Sequence, residues 1–398
     1  MLTPSYLAGV ADDVVNLFDI VEADIKADIV KRINRAGSFD NMSQWQLWRA
    51  RELGLLRGDI NEVLQKALGK TQAEVDRLLI DACQRSLQYD DDIYQRLGME
   101  PTPINESPLM RSIVLQGSRD TKMLMSNMVR TTASQSELAF INLTDKAYLK
   151  TMSGAFSINK AIREAVNELA RNGLNKVAYP SGHSTSVEAA VRRAVVTGMN
   201  QTASKLQLER CGELSTDLVE VTAHAGARPS HAEWQGAIYS LSGKHPHYGD
   251  FYRETDYGSG EGLCGWNCYH SFYPYVEGVS TPTFDKDFSG MKGLTNDEDY
   301  ALQQGQRHYE RQVREAKKEV QTYQEAVNTA KNHELEEEYK KQLGQAGTKL
   351  INREEALRIY VRDKDLTRSR SREQVGGWNS DSRWEAYRAA RDYNRGRK

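Results

Sequence analysis

Two short stretches in mid-chain concentrate the residue types able to do chemistry. One is His224-Ala-Gly-Ala-Arg228-Pro-Ser-His231-Ala-Glu233-Trp234-Gln-Gly236; the other is Tyr257-Gly-Ser-Gly-Glu261-Gly-Leu-Cys264-Gly-Trp-Asn267-Cys268-Tyr-His270. Imidazoles and thiols are the donor set of tetrahedral zinc. His231, Cys264, Cys268 and His270 could close such a site, with His224 able to replace one of them. The C-x3-C spacing suits a zinc site, but the C-x-H step that follows is cramped. The preferred reading is therefore architectural: hydrogen-bonded core histidines and small buried thiols, with no cofactor required. An enzymatic reading draws on His224, Arg228, His231, Glu233 and Glu261, which are raw material for general acid–base work or phosphoryl contact on a nucleotide or nucleic acid. Gly258-Ser-Gly260-Glu-Gly262 lacks the spacing and the preceding apolar strand of a dinucleotide fingerprint. Gly69-Lys70-Thr71 lacks the earlier glycine of a phosphate loop, since position 64 is Leu64. No metalloprotease, triad or kinase signature is present, and the chain is read as a non-enzyme.

The elements that must position these residues read as short strands in a glycine- and aromatic-rich setting. Asp217–Ala223, Ala237–Leu241 and Ser271–Val276 are β-branched or aromatic runs bounded by turn formers, hence strands. Eleven of the 33 aromatic residues lie between Trp234 and Tyr275. A module with little regular structure needs such side chains to fill its core; stacking on bases is the functional alternative.

Around this module the pattern is helical. Val14, Leu17, Val21, Ile25 and Ile29 form one apolar stripe. A second helix is expected from Ser43 to about Arg57 and a third from Thr71, with Glu74 completing a capping box. Pro101, Pro103 and Pro108 mark a linker. Ile158 to Leu169, ended by Gly173, and Val187 to Val196, following the polar cluster Ser181 to Ser186, read as further helices. Past Gly290, Thr295 and Glu298 form a capping box. Tyr309, Val313, Ala316, Val320, Tyr323, Val327 and Ala330 then follow a heptad seam, predicting a helix over Asp297–Leu343 that turns at Gly344 and Gly347. Leu350, Leu357 and Val361 share a face of the helix beyond.

With 398 residues the chain is read as four consecutive regions. These are a helical N-terminal region over 1–118, a central α+β module with preceding helices over 119–290, a long helical or coiled-coil arm over 291–361, and a basic tail over 362–398. The fold class is α+β.

The 53 basic residues nearly balance 55 acidic ones, so overall charge demands no nucleic-acid partner. The tail departs from that balance with eleven basic residues against six acidic. Arg368, Arg370 and Arg372 alternate with hydroxyl residues, and Arg388, Arg391, Arg395, Arg397 and Lys398 cluster near the end. Such a run is either a solvated, partly disordered tail or a sequence-independent phosphate contact. No stretch approaches the run of about 20 apolar residues that spans a bilayer, and the first residues lack the pattern of a signal peptide. Four cysteines, Cys83, Cys211, Cys264 and Cys268, are too few for a disulfide framework and read as reduced thiols.

At the two motif stretches the chain resembles the type 2 phage minor capsid proteins, relatives of the head-morphogenesis proteins typified by the F protein of phage Mu. Gln306-Arg-His-Tyr-Glu-Arg311-Gln-Val-Arg314 and Leu366-Thr-Arg-Ser-Arg-Ser-Arg-Glu373 extend the resemblance over essentially the whole chain. One departure is Tyr269, where a basic residue is expected between Cys268 and His270; it bears on any charge-dependent role of that loop. The resemblance implies a virion protein present in few copies inside the head and associated with the portal vertex. Such a protein is made in the host cytoplasm, enters the procapsid during assembly, and acts in DNA packaging or ejection. The implied partners are the portal protein, major capsid or scaffold proteins, and packaged double-stranded DNA through the basic tail. No membrane and no catalytic role are implied.

Overall fold

The computed structural model describes all residues except 38–40, 155, 175, 179–183, 285–292 and 397–398, and the backbone alone of 176–178 and 184. In chain order the elements are α1 (Pro4–Gly9), α2 (Asp12–Asn34), α3 (Met42–Gln88), α4 (Asp91–Leu97), α5 (Pro108–Met152), α6 (Ile158–Asn172), β1 (Lys176–Ala178), β2 (Ser184–Ser186) and α7 (Val187–Glu213). They continue with β3 (Leu218–Val221), α8 (Pro229–Ala232), β4 (Ile238–Ser240), β5 (Gly249–Asp250), α9 (Phe251–Thr255), β6 (Phe272–Tyr275), α10 (Asn296–Asn328), α11 (His333–Asp363) and α12 (Ser380–Arg395). The protein is thus mostly helical α+β. Its residues group into two compact units, each assembled from three separated stretches. The first holds Met1–Val14, Lys70–Ser126 and Ala189–Gly305; the second holds Val15–Gly69, Asn127–Glu188 and Gln306–Lys398. This interleaved grouping and the four consecutive regions read from the sequence are different partitions of the chain.

The first unit carries the sheet. Its strand order is β5-β4-β3-β6, with β3 antiparallel to both neighbours and β5 parallel to β4. Val219 at the centre faces Tyr239 on one side and Pro274 on the other. A proline donates no ladder hydrogen bond, and β6 tolerates it as an edge strand. The three strands expected from the sequence are β3, β4 and β6. Val219, Val221, Trp234, Tyr239, Phe251, Leu263 and Phe272 form one buried cluster with Cys211, Cys264 and Cys268. Phe251 meets Phe272 edge-on at 4.9 Å, and Tyr257 lies tilted against it at 5.1 Å. The aromatic residues of this region are therefore largely core, although Tyr252 and Trp266 reach solvent.

In the second unit, Val313, Ala316, Val320 and Tyr323 of the heptad seam are buried, with Tyr309 and Val327 packed beside them. Their partners are Leu343, Ala346, Leu350 and Leu357 of α11 and Ala386 of α12, with Val375 and Trp378 between. The single helix expected over Asp297–Leu343 is corrected: it breaks after Asn328, and Asn332 caps α11 by accepting from the Leu335 amide at 3.0 Å. The capping box of Thr295 and Glu298 is present in both directions, at 3.3 and 2.9 Å. A turn at Gly344 and Gly347 is also corrected, because both glycines sit inside α11 where α12 crosses closely. A Cβ on Gly347 would lie 2.4 Å from the Ala386 carbonyl oxygen, and one on Gly344 would lie 2.4 Å from the Tyr393 Cβ. Gly347→Leu is expected to push α12 off α11, cost about 2 kcal/mol, and open residues 364–379 to limited proteolysis. An unchanged cleavage pattern would contradict this packing role.

The helix expected to close near Arg57 and the one expected to open at Thr71 are corrected as well: both belong to the unbroken α3. Its start is capped by Asn41, whose side chain accepts from the Gln44 amide at 3.0 Å. The partly disordered alternative for the tail is corrected too, since it folds through a short 3-10 turn at Ser371–Glu373 into α12. The limit expected at 290/291 lies outside the described residues.

Candidate functional site

β3 and α8 deliver the first motif. The chain leaves β3 at Val221, and Pro229 opens α8 at a position where a missing amide costs nothing. That short helix buries His231. The second motif is a compact coil of turns: Leu263 N donates to Thr255 O at 2.9 Å, Trp266 N to Gly260 O at 2.7 Å and Gly265 N to Gly262 O at 3.0 Å. Gly262 is required there, because a Cβ would sit 2.0 Å from the Asp256 carbonyl oxygen.

Helix α7 pins this coil from beneath. Asn200 Nδ2 donates to the carbonyls of Cys268, at 3.1 Å, and His270, at 2.8 Å. The Asn267 amide donates to Thr197 Oγ1 at 3.2 Å. Gln235 joins the two motifs, since its Oε1 accepts from the His224 amide at 3.1 Å and lies 3.0 Å from His270 Nε2. The His224 amide is an obligate donor, so that Gln235 atom is the oxygen and His270 Nε2 carries the proton. The Glu261 carbonyl oxygen, 2.8 Å from His231 Nε2, fixes the second ring in the same tautomer. Both Nδ1 atoms are therefore bare, and each lies 3.7 Å from Cys268 Sγ.

The structure brings His231, Cys268 and His270 together, with all three donor atoms within 4.8 Å of one another. Cys264 stands apart from that trio; its Sγ donates to the His270 carbonyl at 3.7 Å. His224 stacks on the His270 ring at 4.4 Å and directs its own Nδ1 toward Ala225 O. Trp234 covers both inner imidazoles, at 4.6 Å from His231 and 4.9 Å from His270. Gly236 takes a φ of 68°, which lets the chain turn into β4. Arg228 donates to Trp266 O at 3.2 Å and faces the Glu261 carboxylate at 3.4 Å.

Burial sets the protonation of the cluster. His231, Cys264, Cys268 and His270 are each at most 2% exposed. Desolvation pulls His231 down to about 4 and His270 well below the usual imidazole range, with charge from Arg228 acting the same way. The same desolvation pushes Cys268 up to about 11 and Cys264 well above its usual range. Without a bound cation these are neutral imidazoles and protonated thiols. The carboxylates of Glu233 and Glu261 stand at the surface, and it is the Glu261 backbone that meets His231. The Glu261 carboxylate itself faces Arg228.

Asn200 went unread in the sequence, where it shows only as one polar residue on the apolar face Val195, Val196, Met199, Ala203, Leu206 of α7. Gln235 lies inside the motif, but its bridging role depends on which chain segments surround it.

In the tail, Arg368 is bound in a two-pronged pair to the buried Glu373, at 2.5 Å on each prong, and Arg372 is half-buried. Arg370, Arg388, Arg391 and Arg395 are exposed, and Arg388 lies over the exposed Trp384 ring at 4.8 Å. Arg397 and Lys398 lie outside the described residues.

A family profile described as phage minor capsid protein 2 matches residues 2–362. The chain belongs to that family. Among the relatives of this minor capsid family member, a structural protein of Lactococcus phage LL-H is 25% identical over 302 residues, covering 73% of this chain and 80% of that protein. A structural protein of Lactococcus phage mv4 is 40% identical over 84 residues, covering 21% of this chain and 64% of that protein. No solved structure matches the chain. As a phage minor capsid protein, the chain is a structural constituent of a virion and associates with other virion components. Among its described residues, no helix is long and apolar enough to cross a membrane.

Proposed function

We propose that this minor capsid protein works inside the phage head next to the portal, contacting portal and capsid or scaffold proteins, and that it acts in head assembly and in DNA packaging or ejection without catalysing a reaction. The observation that carries this reading is the family match over residues 2–362. The closure of the His/Cys cluster supports its non-catalytic part, because a substrate has no access to atoms this buried. Double-stranded DNA is the further partner, met by the exposed arginines of α12 with Trp384 among them.

Locating the chain by mass spectrometry of purified procapsids and DNA-filled heads, with protease protection before and after opening the particles, tests the interior assignment. Asymmetric imaging tests the portal contact. A chain digested in intact heads, or spread evenly over the shell, would overturn the reading. For the DNA contact, the triple variant Arg388→Gln, Arg391→Gln, Arg395→Gln leaves the apolar face of α12 untouched. It is expected to lower the slope of log affinity against log salt by about 2–3, the value for three lost phosphate contacts. An unchanged slope would remove DNA as a partner of this helix.

A further inference from the structure

His231 and His270 each commit Nε2–H to a fixed acceptor, the Glu261 carbonyl oxygen at 2.8 Å and Gln235 Oε1 at 3.0 Å. Both Nδ1 lone pairs then converge on Cys268 Sγ at 3.7 Å. A thiol has one hydrogen, so it can satisfy only one of the two. The other imidazole keeps a bare acceptor in a site where both rings are at most 2% exposed. An unpaired buried acceptor is destabilising, and a cation removes that cost at both rings together.

The spacing is also that of a coordination sphere. Tetrahedral zinc, with bonds of about 2.3 Å to sulfur and about 2.0–2.1 Å to nitrogen, sets sulfur and nitrogen about 3.6 Å apart. Both observed separations are 3.7 Å. One ligand atom from each of His231, Cys268 and His270 lies within 4.8 Å of the other two, close enough for small ring movements to complete the set. Imidazoles oriented through their remote N–H by a carbonyl or amide oxygen are the usual outer shell of a metal-bound histidine. Two imidazoles and one thiolate select the zinc class over calcium or magnesium, which take oxygen donors.

We propose that His231 Nδ1, Cys268 Sγ and His270 Nδ1 bind one divalent metal ion of the zinc class, and that this ion locks the two motif segments together. On binding, the Cys268 S–H bond breaks, the sulfur keeps the electron pair as a metal–thiolate bond, and the proton passes to solvent. Cys264 is not a ligand in this assignment.

The purified 398-residue chain, expressed with zinc and dialysed against metal-free buffer, is expected to retain close to one zinc per chain by elemental analysis. C264S is expected to retain the same amount, and C268S less than a tenth of it. After chelation, cobalt(II) added to the wild-type chain is expected to give a thiolate-to-cobalt band with the visible bands of a tetrahedral ion. Zinc added back should raise the unfolding temperature by several degrees. The cobalt and thermal readings use the wild-type chain, so they stand even where C268S fails to fold. No cobalt–thiolate band and no thermal response to zinc in folded wild-type chain would overturn the proposal. Full metal retention by C268S, or its loss in folded C264S, would overturn the ligand assignment. None of these outcomes bears on the capsid role.

Discussion

Lys318→Met is expected to destabilise the second unit by about 3 kcal/mol at pH 8 and by clearly less at pH 5. Lys318 Nζ lies 2.7 Å from Asp19 and 2.8 Å from Glu22, bridging α10 to two carboxylates on α2. Asp19 is only 4% exposed, and burial pushes it up to about 6 against the pull of Lys318. At Glu22 burial acts in the same upward direction, but Lys318 and Lys26 outweigh it and the group ends below its usual range. Burial pulls Lys318 down, and the two carboxylates overcome it and raise it. Methionine keeps the apolar stem and deletes the charge, leaving two neighbouring buried carboxylates with Lys26, 3.9 Å from Glu22, and the Leu174 backbone as the remaining support of Glu22 among the described residues.

The pH dependence follows from the raised group. An acid whose folded value exceeds its unfolded value contributes stability at low pH that is lost as pH rises through the folded value. For Asp19 that window runs from its ordinary 3.8 to about 6 in the wild type, and it extends higher once the counter-charge is gone. At pH 5 the variant takes up the proton and is relieved of one charge; at pH 8 it cannot. Urea denaturation at the two pH values measures the difference. Equal losses at both would mean that the lysine acts through packing alone.

The parts of this fold legible in the sequence are those whose signal is local. β3, β4 and β6 are short β-branched or aromatic runs between turn formers, and α6 carries its stripe, its Ser157 cap and its Gly173 stop within 17 residues. Three of the misplaced helix limits, at Arg57, Thr71 and Leu343, lie close to glycines. Gly54, Gly58 and Gly69 lie within α3, where a Cβ would meet nothing within 4 Å. There a glycine costs about 1 kcal/mol of helix propensity, and the packing of a 47-residue helix outweighs it. Gly344 and Gly347 are present for the opposite reason, because another helix occupies the space of their side chains. Those two cases look alike in a sequence and differ only in what packs nearby. Of the two alternatives for the tail, the solvated, partly disordered run gives way, because Val375, Trp378, Ala386 and Ala390 are buried and Arg368 is spent on Glu373. At the site, residue types announced a cluster but not its membership. Which of Cys264 and Cys268 faces the imidazoles depends on turns in a coil where Cys264 and Asn267 take φ values of 58° and 56°, and no spacing rule conveys that.

Asn200→Asp is expected to cost the first unit about 3 kcal/mol, although it changes one atom. The wild-type amide donates two hydrogen bonds, to the Cys268 and His270 carbonyls, from a position with no exposure. An ionised aspartate has no hydrogen to give, so the two donors become one charged acceptor facing two carbonyl oxygens. The Cys268 carbonyl loses its Asn200 donor and the His270 carbonyl keeps the weak Cys264 thiol; a stranded buried carbonyl costs about 1–3 kcal/mol, and a carboxylate buried there adds a desolvation penalty. Those carbonyls flank Cys268 and His270, so the loss should loosen the coil between Thr255 and Ser271 before the sheet yields. Thiol labelling reads that order: Cys264 and Cys268, each 1% exposed in the wild type, should react with a thiol reagent at least tenfold faster in Asn200→Asp, while Cys83 stays slow. Asn200→Ala removes the donors without adding charge and is expected to fall between the two. Should the aspartate variant match the wild type in both labelling rate and denaturation midpoint, the coil is held by its own turns, and α7 has no part in placing the histidines against Cys268.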